Sequence, residues 1–326
     1  MRSAALAEQR AEMRLRLLQR ARRASARLPG GWDRRLREAA KVAVDYRGAR
    51  GSGLRGMRFS RLGRHSRLLL APFGQAQLLV DSRDDEIGRI VFMTGGYERI
   101  YMRTALQVMA ENGVRVGGRT FVDVGANIGT STVDALVHFG FGRAACFEPD
   151  AANARLLRLN LVLNGLADRA TVHQLALSDH DGDGWLRRSP HNSGDHRVGA
   201  GTTADVDGEA VGLARLDTLV ASGDLDPGDI GLAWIDTQGH EAFVLAGAAS
   251  LTTRRVPVLL EYSPAALNAV GAAARLEDVI TGCYRTVVDV HRAAAGCRSS
   301  AVTPAHHFAR LADRLHGVDH TDLLLL

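Results

Sequence analysis

The sequence predicts an α/β protein with a doubly wound, mainly parallel sheet, and three observations support this prediction. From residue 119 onward, apolar strand segments alternate with helical segments, the pattern of a parallel sheet covered by helices on both faces. The segment "FVDV" at 121–124 turns on Gly125 and Gly129 into a helix. The terminal "TDLLLL" is a continuous apolar run, which is typical of a buried central strand.

The individual elements follow from hydrophobic spacing and from turn residues. We predict strands at 119–127, 144–149, 170–179, 231–239, 256–264 and 285–290 and at the end of the chain, with helices at 129–139, 150–165 and 240–250. Short strands follow residue 66, and a turn and a helix occupy 95–113. Residues 180–210 are polar and rich in Gly and Asp, so we predict a loop or hairpin insertion there.

The beginning of the chain differs in charge from the rest. Residues 1–50 hold 14 Arg or Lys against 5 Asp or Glu, and helical spacing predicts helices at 4–27 and 33–44 before a Gly- and Arg-rich linker at 47–56. We therefore divide the chain into a basic helical extension with its linker, 1–60, and an α/β domain, 61–326. We interpret the basic residues of 1–50 as the solvated face of a helix. The alternative is that their charge attracts phosphates or an anionic membrane.

Composition excludes several classes of protein. The three cysteines are widely spaced and form no C-x-x-C pair, which argues against a disulfide framework and against a zinc site. The N-terminus lacks the uninterrupted apolar stretch of a secretory signal. No run of eighteen apolar residues predicts a membrane span. We expect a cytoplasmic protein.

The glycine turn after the first strand is the first candidate binding site. Ligands of doubly wound sheets lie beyond the carboxyl ends of the strands. The turn from Asp123 to Gly129, through Gly125 and Asn127, does not match the G-x-G-x-x-G pattern of nicotinamide enzymes. Asp123 would repel a pyrophosphate, and it suits a ligand that carries an ammonium and a sulfonium.

Acidic residues also end the next two strands. Glu148, followed by Pro149, stands about where such folds bind both ribose hydroxyls. Ser178 and Asp179 end the third strand, where a carboxylate can meet an adenine amino group. Each carboxylate alone could simply cap the following turn. Together, the three acidic strand ends fit S-adenosylmethionine.

Five motifs carry a family resemblance: "FVDVGANIGTST", "CFEPD", "LNLVLNG", "ALSDHDG" and "WIDTQGHEAFVLAGA". In this order and spacing, over a core of residues 84–264, the sequence resembles the FkbM family of S-adenosylmethionine-dependent methyltransferases. The resemblance implies the class I methyltransferase fold, with a seven-stranded sheet whose last strand is antiparallel. It also implies a set of cofactor contacts: the methionine part on the loop from Asp123 to Gly129, the ribose on Glu148, the adenine on Asp179 with Ala176 or Leu177, and a lid at Tyr97 and Glu98.

The chain departs from the family pattern at two positions. Trp234 stands where the family often has Lys, and Gln238 stands where it often has Glu. Neither change touches the predicted cofactor contacts. Both put a catalytic or metal-binding role of these positions in doubt.

The end of the fourth strand supplies candidates for acceptor chemistry. A hydroxyl acceptor has a high pKa and needs a nearby base. Asp236 should lie beside the transferred methyl, and His240 suits general-base work near neutral pH, unless it only caps the next helix. We predict no metal site. A divalent ion held by Asp236, His240 and Glu261 is an alternative that their spacing does not require.

These observations favour an O-methyltransferase that acts on a hydroxyl of a small metabolite, natural product or sugar. A nucleic-acid methyltransferase is an alternative, but "IDTQGHE" offers neither prolines nor a stacking aromatic after the fourth strand. A non-catalytic S-adenosylmethionine-binding scaffold is another. The sequence leaves the oligomeric state open, with a homodimer as one option.

Overall fold

The computed structural model describes residues 52–189, 192–200, 208–316 and 318–326. The helices predicted at 4–27 and 33–44 lie outside the described residues. The predicted linker, 47–56, lies within the described residues only from Ser52 onward. This portion of it is helical. The division of the chain at residue 60 stays a prediction.

A helical and hairpin segment precedes the main sheet. Its elements are α1 (Ser52–Leu62), β1 (Leu68–Phe73), β2 (Ala76–Asp81), α2 (Ile87–Thr94) and α3 (Arg99–Glu111). Strands β1 and β2 pair antiparallel around Gly74, whose φ of 64° suits a tight turn. The short strands after residue 66 and the helix within 95–113 are thus confirmed.

Strands and helices then alternate to the end of the chain. In chain order these elements are β3 (Thr120–Val124), α4 (Thr130–His138), β4 (Arg143–Phe147), α5 (Ala151–Leu163), β5 (Ala170–His173), β6 (Ala176–Leu177), β7 (Gly182–Arg187), β8 (Arg197–Ala200), β9 (Glu209–Ala214), α6 (Leu216–Ser222), β10 (Ile230–Ile235), α7 (Glu241–Ala246), α8 (Ala249–Arg254), β11 (Val258–Tyr262), α9 (Pro264–Ala269), α10 (Ala273–Cys283), β12 (Thr286–Asp289), α11 (Val290–Ala294), α12 (Arg298–Ala301), β13 (Val302–Pro304), α13 (Phe308–Leu315) and β14 (Thr321–Leu325).

The central sheet has the strand order β13-β12-β14-β11-β10-β3-β4-β5. Strands β5, β4, β3, β10 and β11 are parallel to their neighbours in this row, whereas β14 is antiparallel to both β11 and β12. The predicted mainly parallel sheet with an antiparallel last strand is therefore confirmed. An eighth strand, β13, extends the sheet beyond β12, and it is short because Pro304 at its end has no N–H to donate.

Side chains of the central strands alternate between two cores. On β3, Phe121 packs in one buried cluster and Val122 in the other. The terminal strand β14 does the same with Leu324 and Leu325, both fully buried. Both faces of the sheet are covered, so the continuous "LLLL" run is a central strand as predicted.

The predicted third strand, 170–179, is wrong in its extent. Only Ala170–His173 joins the central sheet as β5, and β6 at Ala176–Leu177 pairs with β9 instead. Strands β6, β9, β7 and β8 form a second sheet in that order. The insertion predicted at 180–210 thus contributes antiparallel strands, β7 and β8, and its residues 201–207 lie outside the described part of the chain.

The helix predicted at 240–250 is divided into α7 and α8. The backbone of Gly247 approaches Ser178 so closely that a Cβ would lie 1.9 Å from the Ser178 carbonyl oxygen. The Gly247 carbonyl accepts a hydrogen bond from the Asp217 amide, and the Asp217 carboxylate accepts bonds from Ala249 and Ser250 at the start of α8. Asp217 therefore caps a new helix and interrupts the predicted one.

Asn160 on α5 and Asn164, the residue directly after this helix, attach the hairpin to the sheet domain. The side chain of Asn160 accepts a hydrogen bond from the Leu79 amide at 2.7 Å and donates to the Leu79 carbonyl at 3.2 Å. Asn164 makes the same pair of bonds to Gln77, at 3.0 and 2.7 Å. Since an amide side chain offers both a donor and an acceptor, each Asn substitutes for a neighbouring strand.

In the described part of the chain, no helix combines the length and the apolar character needed to cross a bilayer. The cytoplasmic location remains a sequence prediction.

The burial of β14 predicts a difference between two Leu→Ala substitutions. Leu324→Ala, at a fully buried position, should lower the free energy of unfolding by about 2–5 kcal/mol. Leu159→Ala, where the side chain is 42% exposed on α5, should change it by less than about 1 kcal/mol. Denaturant titration measures both, and equal losses would contradict the central position of β14.

Candidate functional site

A cavity of about 950 Å³, including its mouth, lies at the carboxyl ends of β3, β4 and β10. Asp123, Glu148 and Asp236, one from each strand end, line its wall. The edge of a doubly wound sheet where ligands bind thus carries three carboxyl groups.

Two glycines allow the loop after β3 to fold against its neighbours. Gly125 has a φ of 84°, and a Cβ there would lie 1.9 Å from the Asp236 carbonyl oxygen. Gly129 has a φ of 91°, and its Cβ would lie 2.4 Å from Leu157 Cδ1. Gly125 lines the cavity, whereas Gly129 supports the loop from behind, at the start of α4. Asn160, which anchors the hairpin, also donates to the Ile128 carbonyl at 2.9 Å and so fixes this loop.

Asp123 is buried beneath the loop. Its carboxylate accepts hydrogen bonds from Ser131 Oγ, at 2.6 Å, and from Thr132 Oγ1. Burial raises the pKa of Asp123 to about 6, although these two hydroxyls oppose the shift. A cationic ligand group in the cavity would stabilise the charged form of this carboxylate.

Glu148 joins the loop to the second strand end. Its Oε2 accepts a hydrogen bond from the Asn127 amide and its Oε1 accepts one from the Asp150 amide, both at 2.8 Å. Burial raises the pKa of Glu148 to about 8. The Asn153 side chain is a third hydrogen-bond donor to this carboxyl group, which leaves one of its four acceptor sites for a ligand hydroxyl. Pro149 also lines the cavity and follows Glu148 toward α5.

The inserted sheet supplies part of the cavity wall. Ser193, Gly194, His196 and Val198 line it. Asn127 Nδ2 donates to the Ser193 carbonyl at 2.7 Å, and Ser193 Oγ donates to Asp84 Oδ2 at 2.6 Å. These residues were not predicted, because the Gly- and Asp-rich insertion has no periodicity that could assign a direction to its side chains.

The structure does not bring the predicted adenine residues Ser178 and Asp179 to the cavity wall. Asp179 Oδ2 pairs with Arg275 Nη1 at 2.7 Å, and its Oδ1 pairs with His180 Nδ1 at 2.8 Å. Ser178 is fully buried behind the wall. The chain leaves the central sheet at Gln174, so it is Ala176 and Leu177 that face the cavity.

In the loop after β10, one side-chain amide forms hydrogen bonds to two carboxyl groups. Gln238 Nε2 donates to Asp236 Oδ1 and to Glu261 Oε2, both at 2.7 Å. Asp236 and Gln238 line the cavity, and Glu261 on β11 lies next to them. Trp234, at the other departure from the family pattern, is a largely buried part of the wall.

His240 lies at the cavity with its ring anchored in the protein. Its Nε2 is 3.0 Å from Ser178 Oγ, and the ring stacks on Phe243. Burial lowers the pKa of His240 to about 4, so the ring is neutral at neutral pH. Its side chain makes no capping bond to α7, contrary to the capping alternative.

The segment before α3 completes the cavity. Tyr97 and Glu98, which the sequence predicted for this site, line the cavity. Arg99 also lines it but was not predicted. Arg99 makes a bidentate ion pair with Asp134, from Nε at 2.9 Å and Nη2 at 2.6 Å to Oδ1. The position of Arg99 directly after Tyr97 and Glu98 was the available sequence signal.

Backbone strain is concentrated at this cavity. Among the described residues, four non-glycine residues have a left-handed backbone, and Glu98 (φ 53°), Asn127 (φ 49°) and Gln238 (φ 53°) line the cavity. Each such conformation costs about 1–3 kcal/mol and tends to occur at functional sites.

Over the ranges that the structure describes, no group of three or more His, Cys, Asp or Glu side chains is arranged to hold a metal ion. The alternative set of Asp236, His240 and Glu261 is interrupted by the Gln238 amide between its carboxyl groups and by the bond of His240 to Ser178.

The strand order, the antiparallel last strand and the cavity at the carboxyl edge define a Rossmann-like protein of the class I methyltransferase type. Residues 123–286, half of the chain, match the methyltransferase FkbM domain model. The chain belongs to the FkbM methyltransferase family.

Similar proteins carry methyltransferase descriptions. The 2-O-methyltransferase NoeI of Sinorhizobium fredii is 28% identical over 156 residues, which cover 44% of this chain and 62% of that protein. The match thus spans less than two thirds of this relative. An O-methyltransferase from Bacillus cereus, solved in complex with SAH, is 13% identical with a TM-score of 0.36, covering 73% of this chain and 94% of that chain. A precorrin-6y C5,15-methyltransferase from Geobacter metallireducens is 14% identical with a TM-score of 0.31, covering 58% and 70%.

The tight contact at Gly125 predicts a large effect of one added methyl group. Gly125→Ala should destabilise the protein by at least about 2 kcal/mol more than Gly113→Ala. Both glycines have a positive φ, 84° and 78°, but a Cβ on Gly113 would meet nothing within 4 Å. Thermal and denaturant unfolding of the two variants measure the difference. Similar losses would show that the backbone conformation, and not the contact with Asp236, requires glycine.

Proposed function

We propose that this chain is an S-adenosylmethionine-dependent O-methyltransferase that modifies a hydroxyl of a small metabolite, natural product or sugar. The observation that carries the proposal is the row of carboxyl groups along one cavity, with Asp123, Glu148 and Asp236 at three neighbouring strand ends. Membership of the FkbM methyltransferase family supports the reaction class.

The charged and apolar residues of the cavity complement the chemical groups of S-adenosylmethionine. Glu148 is buried yet faces the cavity, and we assign the ribose hydroxyls to its carboxyl group. Asp123 offers a carboxylate to the ammonium of the methionine part. Phe147, Ala176 and Leu177 give an apolar wall for the adenine ring.

We assign each part of S-adenosylmethionine to particular residues of the cavity. The loop through Gly125 and Asn127 takes the methionine part, with Gly129 behind it, and Glu148 with Pro149 takes the ribose. Tyr97 and Glu98 cover the site as a lid. For the adenine we propose Ala176 and Leu177, because Asp179 is engaged by Arg275 and His180 and Ser178 lies behind the wall.

S-adenosylmethionine supplies a methyl group on a sulfonium, which is already a good leaving group. The protein has to hold the acceptor oxygen about 3 Å from the methyl carbon, opposite the sulfur. Asp236 is our candidate for the base that takes the hydroxyl proton, since it ends the central strand β10 at the cavity. His240 is the second candidate, because its ring is neutral and one of its nitrogens therefore carries a lone pair that can take a proton.

The choice of oxygen as the acceptor atom rests on two supports. The relative NoeI is described as a 2-O-methyltransferase, at 28% identity. Asp236 and His240 at the cavity suit an acceptor whose proton must be removed. For acceptor specificity we propose the insertion at 180–210, whose β7–β8 connection contributes Ser193 and His196 to the wall. The basic extension of residues 1–60, which precedes the domain 61–326, is the second part that we propose for this role.

Binding of S-adenosylhomocysteine, measured by calorimetry, tests the proposed cofactor site. Micromolar affinity is expected for the unmodified protein, and Glu148→Ala should weaken it at least tenfold, about 1.4 kcal/mol, because the ribose hydroxyls lose their acceptor. Glu111→Ala is the matched control. Glu111 lies at the end of α3, where its exposed side chain pairs with Arg298, so this substitution should leave the affinity unchanged.

Two results would contradict the proposal. A folded protein that binds neither S-adenosylhomocysteine nor S-adenosylmethionine would rule out the cofactor. Equal affinities of the Glu148→Ala and Glu111→Ala variants would rule out the ribose contact at Glu148.

A further inference from the structure

Gln238 occupies an unusual position between two acidic side chains. Both of its 2.7 Å hydrogen bonds come from the same nitrogen, Nε2, which has two hydrogens. One bond goes to Asp236 and the other to Glu261 on the neighbouring strand. The donor capacity of the amide nitrogen is therefore fully used on the two carboxyl groups.

The backbone around Gln238 is built to hold this side chain in place. Gln238 has a φ of 53°, a strained conformation for a non-glycine residue. Glu241 stabilises the turn, since its Oε1 accepts hydrogen bonds from the amides of Thr237 at 3.0 Å and Gly239 at 3.1 Å. Glu241 is almost fully buried, so these bonds are shielded from water.

The surroundings explain why a donor is needed between the carboxyl groups. Glu261 faces Asp322 directly across the antiparallel pair of β11 and β14. Burial and nearby carboxylates raise the pKa of Glu261 well above its usual value, and the contributing groups are Asp236, Glu241, Asp322 and Glu98. On the other side, His291 Nε2 lies 3.1 Å from Asp322. Without the amide, Asp236 and Glu261 would repel each other or share a proton.

We propose that Gln238 is a positioning residue, whose amide holds the Asp236 carboxylate toward the methyl-transfer point and keeps it apart from Glu261. This inference rests on the proposed function and concerns the same cavity. In the reaction, the acceptor oxygen forms a bond to the methyl carbon, the bond from carbon to sulfur breaks, and the hydroxyl proton passes to Asp236. In this step Gln238 acts through Asp236.

Two ligands that differ at the methyl-transfer point test the proposal without a known acceptor. Sinefungin carries an amine where S-adenosylmethionine carries its methylated sulfur, whereas S-adenosylhomocysteine is uncharged there. A carboxylate held beside this point should therefore favour sinefungin. The measured quantity is the ratio of the two dissociation constants, obtained by calorimetry at one pH.

The variants are Gln238→Met, Asp236→Asn and the combination of both, with Gln107→Met as the matched control. Methionine is unbranched and similar in length to glutamine but donates no hydrogen bond. Gln107 lies on α3, where its exposed side chain donates a hydrogen bond to Glu111. Gln238→Asn is a second variant that tolerates the left-handed backbone but is too short to reach both carboxyl groups.

The unmodified protein and Gln107→Met should prefer sinefungin at least tenfold, about 1.4 kcal/mol. Gln238→Met and Gln238→Asn should remove most of this preference while the affinity for S-adenosylhomocysteine stays within about twofold. Asp236→Asn should remove it as well, and the double variant should lose no more than Asp236→Asn alone, because both changes act through one carboxylate.

Several results would overturn the proposal. Folded Gln238 variants that keep the full preference would show that the amide does not position Asp236. Equal weakening of both ligands would assign Gln238 a purely structural role, and additive losses in the double variant would separate it from Asp236. An unmodified protein that binds both ligands equally would place Asp236 away from the methyl-transfer point. If that protein bound neither ligand, the proposed function itself would fail.

Discussion

The buried carboxyl group of Glu148 is the constraint on which the cavity depends. One oxygen fixes the amide of Asn127 in the loop after β3, and the other fixes the amide of Asp150 before α5. Asn127 in turn holds the Ser193 carbonyl of the inserted sheet. Glu148 thus joins the loop after β3 to the start of α5, and Asn127 extends this connection to Ser193 in the insertion. Burial disfavours the charged form of Glu148 and raises its pKa, and the hydrogen bonds from the Asn127 and Asp150 amides partly oppose this shift.

Regular structure and strained structure are separated in this protein. The central sheet buries alternating apolar residues on both faces, and its last strand is fully enclosed. At the carboxyl edge, Glu98, Asn127 and Gln238 take left-handed conformations, and Gly125 contacts the backbone of Asp236. A rigid sheet can support such strain because its own hydrogen bonds and packing do not depend on it. The polar groups of the cavity are consequently held before any ligand arrives.

The sequence predicted what depends on periodicity and on single residue types. Alternating strands and helices, the apolar end of the chain and the glycine turn led to the sheet and to Asp123, Glu148 and Asp236 at its edge. It failed where long-range pairing decides the structure. The apolar pattern of 170–179 continues through Leu177, but pairing with β9 removes β6 from the central sheet and turns Asp179 toward Arg275. Ser193 gave no sequence signal, and Gln238 stood out only as a departure from the family pattern, since the bonding partners of both lie on other segments of the chain or on the adjacent strand.

A crystal structure of the protein with S-adenosylhomocysteine would test the account most directly. The account predicts the ribose hydroxyls within hydrogen-bond distance of the Glu148 carboxylate, the adenine against Ala176 and Leu177, and the sulfur facing the side of the cavity that carries Asp236. A ligand bound elsewhere, or bound in this cavity with its ribose away from Glu148, would contradict it.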